Sequence, residues 1–181
     1  MTLLKEEHQL LQQNTDREAA KPLRVCFVCT GNTCRSPMAE AVTNALARKP
    51  LQLLPEAVRD AAVPRIEAIS AGLYPVLGEP ISPNAVMALE AFGVEAVPDR
   101  DYHNHVACAL FEETVQNADL LVGLTRGHSM ELLLRYPQAA KRITCMPQEI
   151  SDPYGGDLAT YRRCLEQIEQ GVRELLSEHL S

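Results

Sequence analysis

The sequence predicts an α/β fold, a mostly parallel sheet whose strands are joined by helices. Two observations carry that expectation. Short apolar runs alternate with segments of helical periodicity, the arrangement of βαβ units with right-handed crossovers. The 181 residues, 46% of them hydrophobic, suit one domain with ample core material. With 3 Phe, 5 Tyr and no Trp, that core is mostly aliphatic.

Taken in order, residues 1–22 are polar, with Leu3, Leu4, Leu10 and Leu11 at near-heptad spacing. They read as an N-terminal extension, either a helix that docks on the domain or a partner, or a frayed, disordered tail. The domain proper is 23–181. Apolar runs place strands at 24–29, 65–70, 119–124 and 142–146. Helical stretches fall at 37–47, 83–92, 110–116, 127–135 and 158–180. The chain leaves the second strand at Gly72, and Ser82-Pro83 supplies an N-cap and a first-turn proline for the next helix. Ligands of such sheets bind beyond the carboxyl ends of the strands, and residues 29–35 occupy one of those ends.

Composition excludes several function classes. A net charge of -7 argues against a nucleic-acid surface or a polybasic membrane surface, so an anionic ligand must be captured by local geometry. Six cysteines are too sparse for a secreted disulfide scaffold. The N-terminus lacks the basic start and apolar block of a signal peptide, and no stretch approaches the roughly 18 apolar residues of a membrane span. A reducing cytoplasm is the expected setting.

The stretch "CTGNTCRSP", Cys29 to Pro37, joins the first strand to a helix. Ser36 and Pro37 suit the N-cap and first helical position, with Glu40 in the first turn. Backbone N–H groups at a helix N-terminus lack partners there, and the helix dipole favours negative charge. Gly31 and Asn32 tolerate the left-handed conformations that curl amides inward. Arg35 adds a planar fork matching two oxygens of a tetrahedral oxyanion. The segment Thr30, Gly31, Asn32, Thr33, Cys34, Arg35 and Ser36 thus reads as a phosphate cradle with Cys29 at its centre. The same field favours Cys29 as the nucleophilic thiolate, set for in-line attack on phosphorus, and Ser36 can hydrogen-bond the sulfur.

Cys26 and Cys29 formally make C-x-x-C, but residues three apart on a strand point to opposite faces. With no second C-x-x-C or histidine pair, no metal or cofactor is expected, and Cys26 reads as core. Cys34 is a candidate redox guard through a reversible disulfide with Cys29, and plain packing is equally open to it. Cleaving a phosphate ester also needs an acid for the leaving group. "SDPYGGD", Ser151 to Asp157, is the other segment resembling a site, with Asp152 as the acid and Tyr154 as a pocket wall. By spacing alone it is an ordinary turn.

C-x5-R-S-P after the first strand and D-P-Y-G before the last helix resemble the low-molecular-weight protein tyrosine phosphatase family. "SAG" (70–72), "HVA" (105–107) and "NADLLVGLT" (117–125) match as well. The likeness runs from about Leu23 to the C-terminus. It implies a single-domain, four-stranded parallel sheet flanked by helices on both faces. It further implies that Cys29 forms a cysteinyl-phosphate, that Arg35 and the loop amides bind phosphoryl oxygens, and that Asp152 acts as general acid and then base. Asn32, Ser36, Ser70 and His105 would support the loop. Without the resemblance His105 reads as a surface histidine. Residues 49–65 and 95–104 look longer than is usual for the family.

Thr33 bears on the substrate. Tyrosine-specific members carry a larger aliphatic residue there, whereas related bacterial protein-arginine phosphatases resemble this chain in reading C-T-G-N-T-C-R-S-P. A hydroxyl suits water or a guanidinium, a bulky aliphatic a phenyl ring, and Tyr154 fits both by stacking or cation–π contact. Phosphotyrosine and phosphoarginine both stand as substrates, carried on phosphorylated proteins, for a monomer or weak dimer. Thioredoxin-coupled arsenate reductases share the loop but need further cysteines after the third strand, where this chain has Thr125 and none. A catalytically inactive phosphoprotein-binding module would be expected to lack Cys29 or Asp152.

Overall fold

The computed structural model describes residues 21–48 and 66–179. Almost all of the N-terminal extension, the long 49–65 segment, residue 65 of the second expected strand and residue 180 of the last helix lie outside them. Four strands form one parallel sheet: β1 (Leu23–Cys29), β2 (Ile66–Gly72), β3 (Leu120–Gly123) and β4 (Ile143–Cys145), in the order β2-β1-β3-β4. The helices are α1 (Arg35–Ala47), α2 (Pro83–Phe92), α3 (Glu112–Asn117), α4 (Arg126–Arg135) and α5 (Leu158–His179).

Strand β1 shows why the sheet is covered twice. Val25, Phe27 and Cys29 pack with α1, α2 and α5 residues such as Met38, Leu89 and Leu165. Cys26 and Val28 join Val115 of α3 and Leu132 of α4 on the other face. The alternation is that of a strand buried on both sides, and each fully buried aliphatic or Phe side chain contributes about 1.5–3 kcal/mol. Cys26 and Cys29 accordingly lie on opposite faces, and burial drives the Cys26 thiol far up in pKa. Helix α5 seals its face with Tyr161, Cys164, Leu165, Ile168, Val172 and Leu175, the spacing of one helical stripe.

One expected boundary and two expected capping roles are corrected. Helix α1 begins at Arg35 with Cys34 in the N-cap position, two residues earlier than the Ser36-Pro37 signal suggests. Ser36 does not cap, because its hydroxyl is committed to Cys29 and Asn32. Glu40 consequently falls in the second turn, where it is largely buried and accepts a 2.6 Å hydrogen bond from Ser70 Oγ. Burial raises the Glu40 pKa against that bond. Ser82 does hold the N-cap position of α2 with Pro83 at N1, but its hydroxyl accepts from no helix N–H and instead donates to Tyr161 OH. Segment 95–104 folds into an isolated bridge between Val97 and Arg100 and a 3-10 turn, Tyr102–Asn104, which leads directly into His105.

The chain turns to β2 on one side of β1 and to β3 on the other. This reversal of strand order opens a crevice at the carboxyl ends of β1 and β3. The loop after β1 fills it.

Candidate active site

The loop from Cys29 to Arg35 is held from outside by its carbonyls. Cys29 O accepts from Leu73 N and Thr30 O from Tyr74 N, both at 2.9 Å. Asn32 O accepts from His105 Nε2 at 2.9 Å, and Thr33 O from Ser82 N at 2.8 Å. In a planar trans peptide the N–H lies opposite its carbonyl, so the amides of Thr30, Gly31, Thr33 and Cys34 are turned toward the loop's interior. Inward-turned amides ahead of a helix N-terminus, here that of α1, have the geometry expected of an anion nest.

Asn32 is the keystone, and its φ of 58° is the one positive φ among the described non-glycine residues. Of the two residues that tolerate that conformation, Asn32 adopts it and Gly31 does not. The Asn32 amide N–H points at Cys29 Sγ, 3.3 Å away. Its side-chain NH2 donates to Ser36 Oγ and Ser70 Oγ, both at 2.9 Å, and its Oδ1 accepts from Cys108 N at 2.9 Å. Because Ser36 Oγ accepts from Asn32, its own proton is free for Cys29 Sγ, 3.0 Å away. Ser70 in turn passes its proton to Glu40. Gly72 lets β2 come this close, since a Cβ there would lie 3.0 Å from Thr30 O and 3.2 Å from Asn32 Cβ.

Arg35 is nearly sequestered, its side chain 8% exposed, and donates from Nη2 to Asp152 Oδ2 at 2.7 Å. Its Nε is buried without a hydrogen-bond partner among the described residues. A buried unpaired guanidinium N–H costs about 1–3 kcal/mol or more, so the fork is built to receive a further acceptor. Asp152 is 53% exposed at the rim, and its Oδ1 accepts from Tyr154 N at 3.2 Å. The Tyr154 ring is 74% exposed beside it. Thr33 is buried, and its hydroxyl lies across the loop from Gly31, 3.8 Å from where a Cβ would stand.

The structure thus joins Cys29, Asn32, Ser36, Ser70 and His105 in one hydrogen-bonded network, and separately pairs Arg35 with Asp152. Cys34 Sγ lies 3.2 Å from Tyr161 OH. Tyr161 accepts from Ser82 Oγ at 2.9 Å, which directs its proton to the Cys34 sulfur. Burial raises the Cys34 pKa, and burial together with Cys34 pushes Tyr161 up to about 12. The six cysteines are free thiols.

Sequence reasoning missed three contributors. The Cys108 backbone N–H and the Tyr161 hydroxyl carry no sequence signal for their roles. His128 lies 3.0 Å from Thr30 Oγ1 through Nε2. A weak signal for it exists, the capping threonine Thr125 three residues ahead, whose hydroxyl accepts from His128 N.

Comparison with known proteins agrees with this geometry. The family model described as low molecular weight phosphotyrosine protein phosphatase matches residues 24–181. A protein-arginine-phosphatase of Geobacillus stearothermophilus is 31% identical over 161 residues, covering 85% of this chain and 94% of the relative. The low molecular weight protein-tyrosine-phosphatase PtpB of Staphylococcus haemolyticus is 28% identical, covering 81% and 92%. The crystal structure of a low molecular weight protein tyrosine phosphatase from T. tengcongensis superposes with a TM-score of 0.72 at 33% identity, covering 86% and 99%. The chain belongs to the low molecular weight phosphotyrosine protein phosphatase family of hydrolases.

Proposed function

We propose that this phosphatase hydrolyses phosphotyrosine or phosphoarginine in proteins through a cysteinyl-phosphate. The observation that carries the reading is the Cys29 sulfur, held 3.0 Å from Ser36 Oγ and 3.3 Å from Asn32 N inside a ring of inward amides. The phosphoryl oxygens occupy those amides and the Arg35 fork, whose unpaired Nε supports the assignment. Entry of the oxyanion competes with Asp152 for Arg35, freeing the carboxyl for the leaving atom. Cys29 Sγ attacks phosphorus as the bond to the leaving oxygen or nitrogen breaks, and Asp152 delivers the proton. Asp152 then takes a proton from water, water attacks phosphorus, and the sulfur departs toward the Ser36 hydroxyl.

The proton chain from Asn32 through Ser36 suits that second step, since it keeps an O–H aimed at a departing thiolate. Ser70 and His105 fix Asn32 and act only through it. Cys34 would serve as redox guard by closing a disulfide on an oxidised Cys29.

Between the two substrates, Thr33 favours phosphoarginine. A hydroxyl at this position suits a guanidinium better than a bulky aliphatic side chain does, and the Geobacillus relative is named for that activity. Residues 1–22, 49–65 and 95–104 would shape partner recognition. Rapid mixing with p-nitrophenyl phosphate should give a burst of p-nitrophenol equal to the enzyme. Absence of a burst, with slow dephosphorylation established, would remove the covalent step. Phosphotyrosine and phosphoarginine peptides compared side by side decide the substrate.

A further inference from the structure

We propose that His128 is a positioning residue for the phosphate cradle, acting through the side chain of Thr30. The inference rests on the cradle being the oxyanion site. It adds a residue from the far side of the topological switch that the scheme above does not use.

The geometry is a three-residue chain. Thr125 Oγ1 lies 2.9 Å from His128 Nδ1, and His128 Nε2 lies 3.0 Å from Thr30 Oγ1. Thr125 caps α4 and also accepts from His128 N, so the ring is fixed to its own helix. The helix reaches the strand end because Gly123 has no Cβ, which would otherwise overlap Ser129. Thr30 is exposed while His128 is 8% exposed, so the buried ring holds a surface side chain and not the reverse. The Thr30 carbonyl is tied to Tyr74 N. Carbonyl and side chain together fix the peptide that presents the Gly31 amide to the oxyanion.

Among the described residues no carboxylate hydrogen-bonds the imidazole. Burial and then the charge of Arg35 lower its pKa, while Asp152, Glu149 and Glu131 pull the other way. These are the charged groups facing it from α1, from the segment after β4 and from α4 itself. The ring is therefore neutral near pH 7. Both threonine hydroxyls can donate or accept, so the chain survives protonation intact. A bound dianion offsets Arg35 and favours the imidazolium, and by linkage the imidazolium tightens dianion binding.

The test uses inorganic sulfate, a tetrahedral dianion that does not titrate between pH 5.5 and 8. Calorimetry is run on protein carrying Cys29→Ser and Asp152→Asn, which removes two other ionisable side chains of the candidate site. Affinity should tighten roughly three- to tenfold from pH 8 to 5.5, and His128→Gln should abolish that dependence. At pH 8, His128→Phe and Thr30→Val should each weaken binding roughly three- to tenfold, with the double variant no worse than the weaker single. A pH dependence that survives His128→Gln would assign it elsewhere, to His105 for instance, and would overturn the proposal, as would additive losses. If His128→Phe unfolds in the urea control, Thr30→Val and the His128→Gln profile decide. Failure of sulfate to bind the His128-intact protein at either pH would overturn the cradle reading, and this one with it.

Discussion

Replacing Asn32 by glycine separates the two jobs that this residue does. Glycine keeps the left-handed backbone at φ 58° without strain but deletes the side-chain hydrogen bonds to Ser36, Ser70 and Cys108 N. At about 1 kcal/mol each, the three bonds sum to about 3 kcal/mol of stability. Alanine deletes the same bonds and adds about 1–2 kcal/mol for a Cβ in that region. Glycine's looser unfolded chain offsets about 0.5–1 kcal/mol of the difference. Asn32→Ala should therefore be less stable than Asn32→Gly by about 0.5–1 kcal/mol. Both lose the donor that aims the Ser36 proton at Cys29, so kcat/KM on p-nitrophenyl phosphate should fall roughly 10- to 100-fold in each. Urea midpoints and steady-state kinetics measure the two quantities independently. An alanine variant as stable as the glycine one, or a glycine variant within about 0.5 kcal/mol of wild type, would refute the account of Asn32.

Four further outcomes are expected. Cys29→Ser should abolish turnover yet still bind phosphate in a calorimeter, and appreciable hydrolysis by it would reassign the nucleophile. Asp152→Asn should slow hydrolysis by roughly 10²–10⁴-fold, most for poor leaving groups, and equal slowing for all leaving groups would argue against an acid. Thr33→Ile should raise the ratio of phosphotyrosine to phosphoarginine activity, and a constant or lower ratio would remove Thr33 as the discriminator. His128 is held neutral below its ordinary 6.5, so the unfolded chain binds the extra proton first. Wild type should therefore lose stability relative to His128→Gln as pH falls below about 6.5, and parallel urea midpoints from pH 7.5 to 5 would contradict this.

The contiguous part of the site was legible because one short loop carries it. Cys29, Arg35 and Ser36 are read from a strand that ends in a thiol and a helix that starts from an oxyanion fork. Helix 83–92 was placed to the residue by Ser82-Pro83 and a hydrophobic stripe. The start of α1 was not, because a serine that resembles a cap gave its hydroxyl to the sulfur instead. Asp152 could be picked only as the remaining plausible acid, since nothing local distinguishes D-P-Y-G-G from a turn. Cys108, Tyr161 and His128 were illegible for a common reason: each acts through a contact with a loop 76, 127 or 98 residues away. Periodicity and capping rules describe neighbours in sequence and carry no information about such pairs. In the family resemblance, His105 was recoverable despite the long 95–104 segment, because that insertion closes on itself before the histidine.

The ties on Asn32 come from Ser70, His105 and Cys108, which stand 38, 73 and 76 positions along the chain. Contacts of such separation form late in folding, after the local β1–α1 unit can already exist. On the proposed mechanism, a nascent or partly refolded molecule would then hold the Cys29 thiol in an unshaped loop, unable to bind phosphate or to be trapped as a phosphoenzyme. Recovery of the phosphoenzyme during refolding would report completion of the whole sheet, and it should lag helical circular dichroism.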